Sequence, residues 1–288
     1  MIGIYDDTLP GDENKMLACK ETFASFGVSL LHRLAECPEE WISIDEIGYL
    51  EAECPAYCQA IEDLLEKKRV VAVVRKQSIP FLRGLCERPD VFLIDLDQPF
   101  GQIACVIMAS GMGRRFGGNK LMADFHGLPM ILRAIEATDG IFEKRVVVTR
   151  HADVAELCRL RGVEYVLHDL PHRNDTVRLG LDAIGETEAC VFCPGDQPLL
   201  RRETLISLAL AAKNHGNHIW RVGFEGTSGA PVLFPARMFS ELSSLPEGMG
   251  GGFLIKKYPD RIRTVEAQDE WELKDVDTPE DLACMRQM

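Results

Sequence analysis

Cys105-Val-Ile-Met-Ala-Ser-Gly-Met-Gly-Arg-Arg-Phe-Gly-Gly-Asn-Lys120 is an apolar run that breaks into a glycine-rich loop carrying three cations. Taken from Ile103 to Met108, the run has the length and composition of a buried strand. Gly111, Gly113, Gly117 and Gly118 let the following loop turn sharply and bring its N–H groups close to a ligand. Arg114, Arg115 and Lys120 then stand where anionic oxygens would collect. A loop of this kind at the carboxyl end of a strand is where α/β sheets bind nucleotides. The loop is not a Walker A motif, because no Gly-x-x-x-x-Gly-Lys-Ser/Thr occurs in the chain. Nor is it a dinucleotide fingerprint: Gly111-x-Gly113 is followed three residues on by Phe116, with glycine only at 117.

Downstream, strand and helix patterns alternate. Strands are expected at 103–109, 145–149, 163–167, 189–194, 218–223, 230–234 and 262–266. Helices are expected around 129–138, 152–161, 175–184, 203–214, 236–244, 250–257 and 279–287. This rhythm predicts an α/β, Rossmann-like, mainly parallel sheet covered by helices on both faces, over residues 102–288. Thr278-Pro279-Glu280-Asp281 supplies an N-cap, a first-turn proline and a capping-box acid for the last helix.

Residues 1–98 read as a smaller, separate α/β domain, joined by a linker around Asp97-Gln98-Pro99-Phe100-Gly101. Trp41 to Glu51 is expected to be a strand ending in the acids Asp45 and Glu46, with Val70–Val74 and Val91–Asp95 as further short buried strands. The Asp45-Glu46-Ile47-Gly48-x-x-Glu51 segment resembles the Walker B region of a P-loop nucleoside-triphosphatase family, over about residues 40 to 97. In such enzymes the first acid helps hold Mg²⁺ and the second orients the attacking water. Nothing upstream supplies a phosphate-cradling loop or its lysine. The expectation is a degenerate domain that does not hydrolyse nucleotides and serves as scaffold or docking module.

At 288 residues the chain has room for two domains. Its charge of −13 is uneven: residues 1–100 hold 10 Lys+Arg against 19 Asp+Glu, leaving 22 against 26 for the remainder. With no basic cluster, nucleic acid and an anionic membrane surface are poor partners. No apolar run approaches the roughly 18 residues that span a bilayer. Asp6, Asp7, Asp12 and Glu13 stand where a signal peptide would be basic and then apolar. The expected location is cytoplasmic, with reduced thiols at the ten cysteines. Cys190-Val-Phe-Cys193 lies in a strand pattern, where residues i and i+3 face opposite sides, so core packing is expected rather than metal binding. Cys54 and Cys58 could share a helix face, but two thiols do not complete a zinc site.

Further motifs bear on the chemistry. In Cys193-Pro194-Gly195-Asp196-Gln197-Pro198, an acid at the end of a buried strand can aim its carboxylate into the cleft at the sheet's carboxyl edge. Opposite a polyphosphate, Asp196 occupies a Mg²⁺ ligand position. In Lys274-Asp275-Val276-Asp277-Thr278, alternation sets Asp275 and Asp277 on one side of the chain, and Asp277 is a candidate second metal ligand. Both acids could equally serve the N-terminus of the last helix. His168 and His172 show no partner in the sequence and are assigned no role.

Taken in order, these blocks resemble the nucleotidyltransferases that act on molybdopterin. Met108-Ala109-Ser110-Gly111, Arg114 or Arg115, Phe116-Gly117, Asn119-Lys120-Leu121 and Gly127-Leu-Pro129 follow that family's first signature. Gly195-Asp196 and the closing Asp275-Val-Asp277-Thr-Pro-Glu-Asp281 follow two others, and Asn174–Leu181 resembles a segment that helps close the nucleotide site, although an ordinary N-capped helix explains it as well. Ser228-Gly229-Ala230-Pro231-Val232 matches a strand that usually reads Gly-His/Asn-Pro-Val, so Ala230 is a departure on the acceptor side.

The resemblance covers about residues 103 to 285 and implies transfer of CMP from CTP to the terminal phosphate of molybdopterin cofactor, serving an apo-hydroxylase of the molybdenum class. It implies nucleotide contacts at Ala109, Ser110, Gly111, Gly113, Arg114, Lys120 and Gly195, catalytic roles for Lys120, Arg114 and Asp196, and Mg²⁺ on Asp196 and Asp277. Ser110, where guanylyl members carry glycine, implies CTP over GTP. A GTP-using enzyme, a sugar or polyol phosphate as acceptor, and a non-catalytic cofactor carrier are the alternatives.

Overall fold

A computed structural model of the chain describes residues 3–8, 15–214 and 216–288. Asp12 and Glu13, counted above against a signal peptide, lie outside the described residues. The chain divides into two compact units, residues 1–93 and 94–288.

In the first unit, β1 (Gly3–Tyr5) pairs antiparallel with β2 (Met16–Ala18), and β3 (Trp41–Ile47) pairs parallel with β4 (Arg69–Val74). Helices 28–36, 55–67 and 80–86 bring Leu31, Ile61, Leu64 and Leu82 together with Ile42 and Ile47 of β3. Only one face of the β3–β4 pair is covered. On the other, Trp41, Val71 and Val73 are exposed, so the buried strand expected at Val70–Val74 is a strand with a bare face. The strand expected at Val91–Asp95 does not form: the segment pairs with nothing in the sheets, and Val91, Phe92, Leu93 and Ile94 are exposed. Apolar content alone does not make a strand without an edge to pair with. β3 ends at Ile47, one residue past the pair Asp45 and Glu46, and Tyr49–Ala52 is helical; Glu46 ion-pairs with Arg75, and the Glu51 carboxylate accepts from the Gly48 N–H at 2.8 Å.

The second unit carries β5 (Ile103–Ala109), the hairpin β6 (Asp124–Phe125) and β7 (Leu128–Pro129), β8 (Lys144–Thr149), β9 (Glu164–Leu167), β10 (Ala189–Pro194), β11 (Ile219–Phe224), β12 (Thr227–Pro235) and β13 (Ile262–Glu266). Seven of these form one sheet in the order β13-β11-β12-β10-β5-β8-β9. Every pairing is parallel except those of β12, which runs antiparallel to both β10 and β11. The expected mixed α/β, mainly parallel architecture is therefore present.

Alternation along β5 explains why its sequence is apolar throughout. Cys105 and Ile107 enter one core with helices 131–137, 202–214 and 279–285, while Ala104 and Val106 enter the other with helix 173–184. Cys193 and Cys190 likewise fall in opposite cores, as expected of positions i and i+3 in a strand. Gly180 lets helix 173–184 close onto β5: a Cβ there would lie 2.5 Å from Val106 Cγ1. Met108 pairs with Pro194, and Phe192 with Val232. Continuing that register sets Ala230 beside Pro194, at the same edge as the loop after β5. Among the described residues no helix is long and apolar enough to cross a membrane.

Candidate active site

Ala109 ends β5 buried, its carbonyl accepting from Thr149 Oγ at 3.0 Å, and the chain leaves the sheet at Ser110. Among the described residues, the backbone N–H groups of Gly111, Met112, Gly113, Arg114 and Arg115 find no hydrogen-bond partner. Five adjacent free donors in an open loop make an anion-binding surface. The Gly113 carbonyl accepts from Phe116 and Gly117, closing the turn. Gly113 has φ +57°, and a Cβ there would run into the Gly118 carbonyl, so this closure requires glycine.

Asn119 then caps the short 3₁₀ helix Lys120–Met122, its Oδ1 accepting from the Leu121 N–H at 3.2 Å while its Nδ2 donates to Asp153 at 2.8 Å. The cap fixes where Lys120 enters. Lys120 is 6% exposed, and its ammonium reaches Asp196 Oδ2 at 2.6 Å, the Val276 carbonyl at 2.6 Å and Asp277 Oδ1 at 3.1 Å. Burial works against the charged amine, but Asp196 and Asp277 outweigh it and raise the Lys120 pKa. The lysine is thus a fixed cation between two carboxylates at the loop edge of the sheet.

Asp196 follows β10 through Gly195, whose N–H donates to the Met108 carbonyl at 3.1 Å. A Cβ at 195 would meet Ile131 Cδ1 at 2.6 Å. The Asp196 carbonyl accepts from the Val276 N–H at 2.9 Å, which ties the β10 loop to the closing segment. Asp277 also takes Arg115 at 2.7 Å and precedes the capping box, in which Thr278 Oγ accepts from the Asp281 N–H at 3.2 Å and the Asp281 carboxylate accepts from the Thr278 N–H at 2.8 Å. Asp275 departs from its neighbour: its Oδ1 accepts from buried Gln197 Nε2 at 2.9 Å. Burial first, and the Asp196 charge second, push the Asp275 carboxyl above the usual aspartate range.

The structure therefore brings together Lys120, Asp196 and Asp277 from three distant stretches of sequence. It separates the two arginines of the loop. Arg115 binds Asp277, whereas Arg114 is exposed and, among the described residues, makes no hydrogen bond or ion pair. Ser110 sits apart from the cations, its hydroxyl donating to the Val148 carbonyl at 3.0 Å and lying 2.8 Å from His168 Nε2. With the hydroxyl proton on Val148, the His168 Nε2–H is the donor of that second bond. Burial, followed by the Arg150 charge, lowers the His168 pKa. His151 Nε2 similarly lies 2.8 Å from the Gly111 carbonyl. Sequence reading left His168 without a role because its partner is 58 positions away; its place at the end of the strand after β8 was the one signal available. His172 faces Glu247 at 3.0 Å.

Among the described residues no group of three or more His, Cys, Asp or Glu is placed to hold a metal by itself. Asp196 and Asp277 have one carboxylate oxygen each on the same ammonium, so those oxygens lie no farther apart than the sum of its two contacts. Two carboxylates beside a loop of free N–H groups fit Mg²⁺, which takes few protein oxygens and fills its octahedron with phosphate and water.

Residues 105–262 match the family model of the MobA-like NTP transferase domain, and residues 12–99 match that of an NTPase. The 3-deoxy-manno-octulosonate cytidylyltransferase of Neisseria meningitidis serogroup C (strain 053442) is 33% identical over 96 residues, 30% of this chain and 36% of that protein. Its counterpart in Acinetobacter baumannii is 33% identical over 113 residues, 36% of this chain and 43% of that protein. The match thus spans well under half the length of these curated relatives. Rv0371c from Mycobacterium tuberculosis H37Rv superposes with a TM-score of 0.59 at 21% identity, over 65% of this chain and 99% of that one. A nucleotidyl transferase from Methanothermobacter thermautotroptrophicus superposes with 0.55 at 23% identity, over 65% and 96%. CMP:2-keto-3-deoxy-manno-octonic acid synthetase, solved with CTP, gives 0.54 at 15% identity, over 64% and 96%. What these structures share with the second unit is the fold.

Proposed function

The chain belongs to the MobA-like NTP transferase domain family, and from that premise we propose that it transfers CMP from CTP to the terminal phosphate of molybdopterin cofactor. The observation that carries this reading is Lys120, buried between Asp196 and Asp277 beside a loop of unpartnered N–H groups. That combination suits a reaction in which charge grows on an α-phosphate and on leaving pyrophosphate, where positioning and electrostatic stabilisation do most of the catalysis.

An oxygen of the acceptor phosphate attacks the α-phosphorus of CTP. A new P–O bond forms, the bond to the β-phosphate oxygen breaks, and its electron pair leaves on pyrophosphate. The attacking phosphate is already an anion, so no side chain needs to remove a proton. The N–H groups of Gly111 and Gly113, with Arg114, receive the β- and γ-phosphates. Lys120 neutralises the α-phosphate as its charge rises, exchanging part of its hold on Asp196 and Asp277 for phosphate oxygen. Asp196 and Asp277 would hold Mg²⁺, whose chemistry there is that of a Lewis acid on phosphate oxygens. Ser110 narrows the base pocket. With its hydroxyl engaged by Val148 and His168, it acts there as bulk, which disfavours a purine.

A second reading keeps CTP and changes the acceptor. It is favoured by Ala230, which removes the usual polar side chain from the acceptor strand, and by the names of the curated relatives. Pyrophosphate release by the purified chain with Mg²⁺ tests both, with CTP and GTP in parallel and with molybdopterin cofactor or 3-deoxy-manno-octulosonate as acceptor. Release with CTP and molybdopterin cofactor supports the first reading. Release with the sugar acid alone moves the assignment to the second, and release with GTP alone overturns the base choice.

A further inference from the structure

Ala230 leaves open which group meets the acceptor, and the strand beside it carries an arginine whose charge no carboxylate among the described residues answers. Arg221 of β11 pairs with Val232 of β12 at a register shift, which re-aims side chains. Val232 and Phe234 face the core that contains helix 173–184, and alternation continues that face through Ala230 and Ser228 toward the loop edge. The Arg221 guanidinium runs that way. It donates to Ser228 Oγ at 2.7 Å and to the Ser228 carbonyl at 2.9 Å. A histidine or asparagine at 230 would compete for this stretch, whereas alanine leaves it to Arg221.

Both acceptors of Arg221 are neutral. Among the described residues it has no carboxylate partner, and its Nε is buried with no hydrogen bond. Burial pulls its pKa below the ordinary arginine value, as expected of a cation without a counter-ion. The guanidinium is half-buried and has no counter-ion among the described residues, so it is free to take an anionic ligand. Arg173 opens helix 173–184 on the same side of the sheet, exposed and, among the described residues, also without an ion pair. A glycine run packs against Arg173 and against Phe234 of β12. A Cβ on Gly251 would lie 2.9 Å from the Phe234 ring, and one on Gly250 would lie 2.9 Å from Arg173 Nε. The Gly248 N–H donates to Asn174 Oδ1 at 2.9 Å, which holds that run against the helix start.

We propose that Arg221, assisted by Arg173 on the same side of the sheet, seats the phosphomonoester dianion of the acceptor. This deepens the reading above and rests on its choice of a phosphate acceptor. The guanidinium fork suits a phosphate that must present one oxygen outward while two are held.

The test is calorimetric titration of the full chain in EDTA, with phenyl phosphate added to protein saturated with CTP and with CTP added separately. Arg221→Gln should weaken phenyl phosphate binding by at least about tenfold, with CTP affinity unchanged within error. Ser228→Asp gives Arg221 an internal carboxylate and, in a variant whose thermal melt matches the wild type, should produce the same selective loss. Unchanged phenyl phosphate binding in both variants overturns the proposal, as does no binding by the wild type at millimolar concentration. An equal loss of CTP affinity overturns it too. Selective loss in the two variants, alongside a wild type that releases no pyrophosphate with molybdopterin cofactor, upholds the phosphate seat and removes the acceptor named above.

Discussion

Replacing Lys120 by methionine keeps a buried side chain of similar length and removes its charge. The ammonium contacts Asp196 at 2.6 Å, the Val276 carbonyl at 2.6 Å and Asp277 at 3.1 Å. A hydrogen bond to a charged group contributes about 1.5–3 kcal/mol, and removing one partner of a buried ion pair costs about 3–5 kcal/mol. The full values do not apply here. Asp277 is 36% exposed and keeps Arg115, while Asp196 is 23% exposed and is the carboxylate left without a cation. One partly hydrated charge and one orphaned carbonyl set the loss at about 2–3 kcal/mol. For a domain of roughly 150–250 residues that is a fall in melting midpoint of about 4–12 °C. Scanning calorimetry at pH 7 without divalent metal measures it. Adding Asp196→Asn to Lys120→Met should recover at least half of the loss, because the uncompensated charge is then gone. Mg²⁺ should raise the midpoint of Lys120→Met more than that of the wild type, since Asp196 is freed and Asp277 loses one of its two cations. A fall under about 1 °C, or no recovery in the double variant, would refute the ion-pair argument.

Ser110→Gly should lower the CTP-to-GTP ratio of pyrophosphate release by about tenfold while Ser110→Ala preserves it; a loss of preference in the alanine variant would show that the hydroxyl, not bulk, selects the base. Asp275 holds its proton longer in the folded chain than in the unfolded one, so it subtracts stability as pH rises from the ordinary aspartate range through its raised value. Asp275→Asn, which keeps the oxygen that Gln197 binds, should raise the melting midpoint at neutral pH and lose that advantage below the ordinary aspartate range, as followed by thermal melts across pH. Gly180→Ala should cost about 1–3 kcal/mol by forcing a methyl onto Val106, and Val106→Ala in the same chain should return most of it in urea titrations. Finally, Mg²⁺-dependent ATP or GTP hydrolysis that disappears in Glu46→Gln would contradict the expectation of an inert N-terminal unit.

The second unit was legible because its signals are local. Buried strands such as Ile103–Ala109 and Ala189–Pro194 are continuous apolar runs, and Thr278 with Asp281 spells a helix start within four residues. The first unit was less so. Val91–Ile94 has the composition of a strand, but pairing is a property of neighbours, and β3 and β4 pair only with each other among the described residues. In the site, Gly113, Lys120 and Asp196 could be named from spacing. The choice between Arg114 and Arg115 could not, because it depends on Asp277, 162 positions on. The same holds for His168 against Ser110, and for Arg221, whose significance is that no carboxylate among the described residues pairs with it. Such facts are set by tertiary contact and leave no periodic trace in the chain.

The central place of β5 has a kinetic consequence. Four strands lie to one side of it and two to the other, and its side chains are locked into both cores. Its amides should exchange with solvent deuterium only when the whole unit opens, while those from Gly111 to Arg115, which have no hydrogen-bond partner among the described residues, should exchange at once. The most and least protected amides of the unit are thus separated by little more than Ser110. A ligand that occupied the loop would appear in an exchange experiment as a block of newly slow amides next to one that was slow already.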